Sequence, residues 1–310
     1  MKAGVSTETV CIVSHDAGGA EILACYAAQN ALRCRLVLEG PALAVFEQHM
    51  RPVRVERLST AIAASDWCLF GTSWQSDLEW HAIDVARNAG KRTVSFLDHW
   101  VNYPDRFIRN GVRHLPDEIW VGDEDAKTLA EDTFPELPIK LVPNPYFAYI
   151  ERQIARYAVQ SKARLPSKAQ VLFVCENLSG HGALRFGNAR HFGYTEIDAI
   201  EYFFSRIADL GPSIERVIVR PHPSDPPQKY SATIAEHSPL AVLGGDRPLL
   251  EEIAEADIIA GCESAALIAA SIAGKRVVSC VPPDAKVAFI DRRRGIEMLR
   301  DLSASAARST

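Results

Sequence analysis

The sequence predicts an α/β protein of two doubly wound lobes, each a parallel sheet flanked by helices. Three observations lead there. Short apolar or β-branched runs alternate with longer segments of helical spacing, a second such series starts near residue 171, and a proline-bearing junction at 142–146 separates the two. A length of 310 residues suits two domains of ordinary size, and 47% hydrophobic with 24% charged residues can build real cores. Disorder, collagen-like repeats and coiled coil are excluded as the main content.

In the first series the expected strands are residues 10–13, 35–38, 67–70, 93–97, 118–121 and 139–142. Apolar residues recur at helical spacing over 20–31 and 78–88, and Gly90 stops the second of these helices just before a strand. The second series places strands at 171–175, 217–219, 240–243, 258–260 and 277–280, with helices over 196–210, 248–254 and 264–273. Between the series lies Val142-Pro143-Asn144-Pro145-Tyr146, where each proline biases its predecessor away from helix. The expected lobes are therefore residues 1–145 and 146–310. After Leu302 the chain turns small and polar and reads as a frayed tail.

The formal net charge is −5, from 34 basic and 39 acidic residues, and the one basic cluster is Arg292-Arg293-Arg294. No nucleic-acid partner is expected from such a balance. Seven cysteines, an odd number with no CxxC pair, read as thiols in a reducing compartment, not as a disulfide frame or zinc site. No run reaches eighteen apolar residues and the first residues lack a signal-peptide layout, so a cytoplasmic protein is expected and a two-lobe binding protein of periplasmic type disfavoured.

Ligands of open α/β sheets bind beyond the carboxyl ends of the strands, so the residues just after each strand are the candidates. After the first strand, Ser14-His15-Asp16-Ala17-Gly18-Gly19 runs into a helix. Its glycines permit close approach to a ligand, and the helix start offers N–H groups, although the pattern is not GxGxxG. A plain strand–helix turn capped by Asp16 or His15 is the alternative. Asp98-His99 follows the fourth strand and has the makings of a general base with an orienting partner. Trp74, after the third strand, could line a sugar groove or pack in a core. Asp123-Glu124-Asp125 matches a metal-binding DxD but sits where acidic residues favour a helix start, so no metal is assigned to it.

The sharpest motif is in the second series. In Arg220-Pro221-His222-Pro223-Ser224-Asp225 two prolines stiffen the backbone around His222 at a strand end, and Arg220 adds charge on the same face, a pairing suited to phosphate. Farther on, Gly261-Cys262-Glu263-Ser264-Ala265-Ala266 is a strand end, a turn and a helix start. Ser264 and the amides near Ala265 offer an anion site, and Glu263 could take ribose hydroxyls; plain capping by Ser264 is the alternative. Asn177 and Ser179, after the first strand of this lobe, are polar residues where a phosphate or acceptor would enter.

Two α/β lobes, a strand–His-Pro turn and a later strand–Gly–x–x–Ser helix start resemble a glycosyltransferase of the GT-B architecture, two Rossmann-like lobes facing a cleft. More narrowly, the second lobe is similar to bacterial surface-polysaccharide transferases: the sialyl- and Kdo-type enzymes, which use CMP-activated sugars, and the glycerophosphotransferases, which use CDP-glycerol. In the sialyl group an HP motif and a Ser/Thr motif hold the nucleotide and its phosphate, roles that the resemblance carries to His222-Pro223 and to Ser264. That group's base lies in an acidic–acidic–Gly triplet, of which Asp16-Ala17-Gly18 is a partial echo; His99 is similar in place to the glycerophosphotransferase base, without its His-Gly-Thr-Pro context.

The resemblance implies an inverting, metal-independent transferase without cofactor. The second lobe would hold a nucleotide-sugar donor, CMP-linked and acidic by preference, and the first a glycan, lipid-linked or protein acceptor, with Asp16 or Asp98–His99 as base. Peripheral association with the inner membrane face stays open. A nucleotide-sugar 2-epimerase or hydrolase on the same frame, or a CDP-glycerol-type transferase, is the alternative.

Overall fold

The computed structural model describes residues 8–73, 76–160, 168–285 and 295–306. The chain divides into two compact units, Met1–Tyr149 and Ile150–Thr310. The division falls inside helix α7 (Pro145–Gln160), four residues past the junction read from the prolines. Pro145 opens that helix, a position where its missing N–H costs nothing, and Asn144 accepts from the Tyr146 amide at 3.0 Å.

In the first unit the chain runs β1 (Thr9–Ser14), α1 (Ala17–Gln29), β2 (Arg33–Leu38), α2 (Ala42–His49), α3 (Leu58–Ala63), β3 (Trp67–Phe70), α4 (Leu78–Asn88) and β4 (Arg92–Leu97). It continues through α5 (Tyr103–Phe107), the small hairpin β5 (Ile108–Arg109) and β6 (Val112–Arg113), then β7 (Glu118–Val121), α6 (Glu124–Thr133), β8 (Ile139–Leu141) and α7. Its six-stranded sheet is parallel throughout, in the order β2-β1-β3-β4-β7-β8.

Alternation within β1 explains the layering. Cys11 and Val13 join a core with α3, α4 and α6, whereas Val10 and Ile12 join another with α1 and α2. A strand covered on both faces reads as one continuous apolar run, which is why these strands stood out in the sequence.

The second unit runs β9 (Ala169–Val174), α8 (Leu178–Phe186), α9 (Glu196–Ser205), a 3₁₀ turn (Ile207–Leu210) and β10 (Ile214–Arg220). Then come α10 (Ser231–Glu236), β11 (Ala241–Leu243), α11 (Leu249–Glu255), β12 (Ile258–Gly261), α12 (Ala265–Ile272), β13 (Arg276–Ser279), β14 (Ile296–Met298) and α13 (Leu299–Ala306). Its sheet, also six parallel strands, has the order β11-β10-β9-β12-β13-β14. Val171, Phe173, Val217, Val219 and Ala260 pack with Ile200 and Phe203 of α9 in one buried core.

The expected helix at 196–210 is α9 followed by the 3₁₀ turn, with Gly211 beyond at positive φ. The expected frayed tail after Leu302 is instead helical through Ala306, and residues 307–310 lie outside the described part. Trp74 and Arg292-Arg293-Arg294 also lie outside it. The cysteines form no disulfide among the described residues, and no described helix is long and apolar enough to cross a membrane.

Candidate functional site

Both sheets reverse their direction of growth once. In the second unit the chain lays down β9, β10 and β11 to one side and then returns to place β12 on the other side of β9. In the first, β2 lies on one side of β1 and β3 on the other. Loops diverge at such points and leave a crevice at the carboxyl edge.

In the second unit Val174 pairs with Arg220 on one side and with Gly261 on the other, so the three strand ends are level. His222 follows β10, Glu176 and Asn177 follow β9, and Glu263 and Ser264 follow β12. With strands about 4.8 Å apart, the His222 and Ser264 loops leave the sheet about 10 Å from each other, with the β9 loop between them.

His222 is held from several directions. Its amide donates to Asp225 Oδ2 at 2.8 Å, and the Ser224 amide and hydroxyl lie 3.2 and 2.7 Å from its Nδ1. The Asn177 side-chain amide donates to Ser224 Oγ at 3.0 Å. Because an amide can only donate, Nδ1 is the acceptor, and the neutral ring carries its proton on Nε2. Burial lowers the His222 pKa, against the pull of Asp225, and nearby His181 and Lys229 lower it further. The ring is therefore a neutral Nε2–H donor fixed at the edge of the sheet.

Asp225 anchors the turn. Burial works against its charge, yet bonds from Lys229 Nζ at 2.6 Å and Tyr230 Oη at 2.7 Å hold it below the usual carboxylate range. Lys229 also pairs with Glu196, which accepts from the Ser179 hydroxyl and amide at 2.5 and 2.9 Å. Ser179 and Asn177 thus brace this turn from the β9 side, and Asn177 also caps α8 by accepting from Gly180. Pro223 is exposed. Arg220 is committed elsewhere: its guanidinium donates to Glu252 at 2.6 Å and to the Arg247 carbonyl at 2.8 Å.

At the start of α12, Ser264 Oγ accepts from the Ala266 amide at 3.2 Å, an N-cap, and Ala265 opens the helix on its exposed side. The Glu263 amide donates to Glu176 Oε1 at 2.7 Å. Burial pushes the Glu176 carboxyl up to about 7, and the negative Glu263 side chain adds to this, while the amides of Glu263, Cys262 and Ser264 pull the other way. A side chain of this chain therefore already sits on the amides that the sequence offered to a phosphate.

In the first unit Asp16 stands at the N-cap position of α1 but makes no capping bond; its Oδ1 lies 2.7 Å from His15 Nδ1. A proton on Nδ1 satisfies that contact and leaves Nε2 as the basic nitrogen. Gly40, at φ +52°, makes room for the ring, since a Cβ there would come within 2.7 Å of Nε2. The His15 amide donates at 2.7 Å to Glu79 of α4, which is 2% exposed. Burial pushes Glu79 up to about 7, against the His15 amide bond, and neither its Oε2 nor Ser14 Oγ has a hydrogen-bond partner among the described residues.

Any side chain at Gly18 would strike the Asp98 carboxylate, and one at Gly19 would lie 3.3 Å from Gly71 Cα. These two glycines bring α1 against the ends of β3 and β4. Asp98 is engaged away from its sequence neighbour: its Oδ1 takes Arg106 at 2.5 Å and Thr72 at 3.3 Å, with Arg106 5% exposed. The His99 ring lies against Trp100, centroids 5.5 Å apart. Asp123 caps α6 by accepting from Ala126 at 2.8 Å.

Glu79, Glu176, Arg106 and Lys229 were not singled out from the sequence. A signal did exist for Glu79, a carboxylate in the stripe of α4 that carries Ala82, Ile83 and Ala86. Glu176 stood in the strand-end segment 175–182 without a reason to prefer it.

No family model matches the sequence, and no curated protein matches it. Solved structures do. The UDP-GlcNAc 2-epimerase of Neisseria meningitidis, bound to UDP-GlcNAc, aligns with a TM-score of 0.61 at 12% identity, over 96% of this chain and 90% of that one. The glycotransferase of kitacinnamycin aligns at 0.55 and 13%, over 97% and 91%, and a glycosyltransferase of Rickettsia africae at 0.55 and 12%, over 97% and 87%. Similarity at this identity is similarity of fold. The chain has the two Rossmann-like sheets of the GT-B fold, which glycosyltransferases and UDP-GlcNAc 2-epimerases share.

Proposed function

We propose that this chain is an inverting, metal-independent glycosyltransferase that takes an acidic sugar from a CMP-linked donor for surface-glycan assembly. The observation that carries the reading is His222: a neutral imidazole whose Nε2–H is fixed by Ser224 and Asp225 at a carboxyl edge beside a topological switch point. Such a donor suits a phosphate oxygen on which charge grows as the sugar leaves, and one donor of this kind is commonly worth about 3 kcal/mol of barrier.

Glu176 supports a CMP over a UDP donor. Its carboxyl occupies amides at the start of α12, so a donor with one phosphate has less anionic charge to place beside it than one with two. In the first unit the His15–Asp16 pair is the better base, because Asp98 is engaged by Arg106. His15 Nε2, oriented by Asp16, would take the proton of the acceptor hydroxyl. That oxygen bonds the anomeric carbon from the face opposite the phosphate, the carbon–oxygen bond to the phosphate breaks, and CMP leaves with the electron pair. Glycan, lipid-linked and protein acceptors all present such a hydroxyl.

The test is a panel of CMP-, CDP- and UDP-linked donors, each with and without lipid- or sugar-linked acceptors, read as nucleotide release and product stereochemistry. Acceptor-dependent release of CMP with an inverted linkage is expected. Release from a UDP-sugar without acceptor, or solvent-hydrogen exchange at its C2, would make the chain a hydrolase or 2-epimerase instead. Transfer of glycerol phosphate from CDP-glycerol would assign the third activity.

A further inference from the structure

The first unit carries a second cluster of reactive groups away from the carboxyl edge. Glu21 and Cys25 are one turn apart on α1, and His49 is the last residue of α2. Cys25 Sγ, a carboxylate oxygen of Glu21 and a ring nitrogen of His49 all lie within 4.8 Å of one another. His49 Nε2 is 2.5 Å from Glu21 Oε2, and its Nδ1 is 3.7 Å from Cys25 Sγ. The cluster is secluded: the His49 side chain is 5% exposed, Cys25 is 4% exposed, and the Tyr149 ring stands edge-on to His49 at 4.5 Å.

We infer that Glu21, Cys25 and His49 form a three-ligand site for a zinc-class divalent transition ion, with the fourth position left to water. A thiolate, an imidazole and a carboxylate are the donor mix such ions take, whereas magnesium and calcium call for sets of oxygens. Metal–ligand bonds of about 2.0–2.3 Å place neighbouring donors about 3.5 Å apart, so the Sγ–Nδ1 spacing already fits, while the Glu21 carboxylate, which now sits on Nε2, must turn away from that nitrogen to reach the ion. Charge also balances, because two anionic ligands neutralise a dication in a place too dry for an unpaired charge. Binding releases the Cys25 thiol proton to solvent and forms the metal–sulfur bond.

The seclusion argues against the other use of a Cys–His–Glu array, nucleophilic catalysis, since no sizeable substrate reaches Sγ. An ion here would staple α1 to α2 and so steady the α1 start that carries His15 and Asp16. No CxxC or His-rich run announces the site, because two helices assemble it. The inference stands independently of the transferase reading.

The test uses the full chain without a purification tag, stripped with chelator and titrated with Zn²⁺ and Co²⁺. Stoichiometric Zn²⁺ uptake and a thiolate-to-cobalt charge-transfer band are expected. Cys25→Ser should abolish that band, and His49→Gln should weaken binding by more than about tenfold, with circular dichroism unchanged. Wild-type protein that takes up no stoichiometric Zn²⁺ and gives no such band overturns the site, as does undiminished binding in either variant. Should a variant fail to fold, the wild-type cobalt spectrum decides alone.

Discussion

In the first unit the helix at the switch point, α1, starts against Asp98, whose charge is answered by the buried Arg106 at 2.5 Å. In the second, α12 starts against Glu176, which accepts from the Glu263 amide and is pushed up to about 7 by burial. The second unit has its own arginine–carboxylate pair, Arg220 with Glu252 at 2.6 Å, but spends it away from the helix start. One plan thus yields two electrostatic settings. The first answers the carboxylate at its helix start with an arginine and sets a His–Asp pair beside it. The second holds a titratable carboxyl beside a neutral imidazole donor, and any anionic ligand must contend with that carboxyl.

The sharpest way to break this contrast is to remove the proton-moving pair. Asp16→Asn is expected to cut kcat by about 10²–10⁴-fold while CMP affinity stays unchanged. An equal loss in affinity would move the first unit's residues into nucleotide binding. Next in size, Arg106→Met leaves Asp98 buried and uncompensated, and denaturant melts should show a loss of about 3–5 kcal/mol. A near-silent variant would mean that Asp98 is wet enough to stand alone.

The two glutamates pushed up towards 7 sharpen the comparison through pH. Glu79 ionises near 7 in the fold against an ordinary 4.5, so the folded state holds the extra proton between those values. Stability therefore falls as pH rises from about 4.5 to about 7 and stays at the lower level above, with Glu176 contributing in the same sense. Glu79→Gln keeps an acceptor for the His15 amide and removes the charge. It should raise stability at pH 8 by up to about 3 kcal/mol and have only a small effect at pH 5. Equal effects at both pH values would contradict a raised carboxyl. The smallest effect belongs to Glu176→Gln, expected to tighten UDP roughly tenfold at pH 8 and CMP less. Calorimetric titration with both nucleotides reads the difference, and an equal gain for both would remove the argument for a one-phosphate donor.

Much of this frame was legible beforehand. Residues 67–70, 78–88 and 118–121 were read to the residue, because strands buried on both faces and helices with one apolar stripe leave strong periodic signals. The loops after the strands were legible for the same reason, His222 and Ser264 among them. Pairings across the fold were not. Glu176 meets Glu263 87 positions away, His15 meets Glu79 across 64, and Arg220 meets Glu252 across 32. A pattern along one segment tells which edge a residue reaches, not which charge waits there. Adjacency concealed one partner: Asp98 and His99 read as a pair, and Asp98 also takes Arg106, eight residues on, from α5.

The account rests on the imidazole of His222 as the donor that holds the nucleotide's phosphate. Titrating CMP into the wild type and into folded His222→Ala by calorimetry measures this directly. Weakening by at least about tenfold is predicted, the value of a hydrogen bond to a charged oxygen. Identical affinity in the two proteins would contradict it.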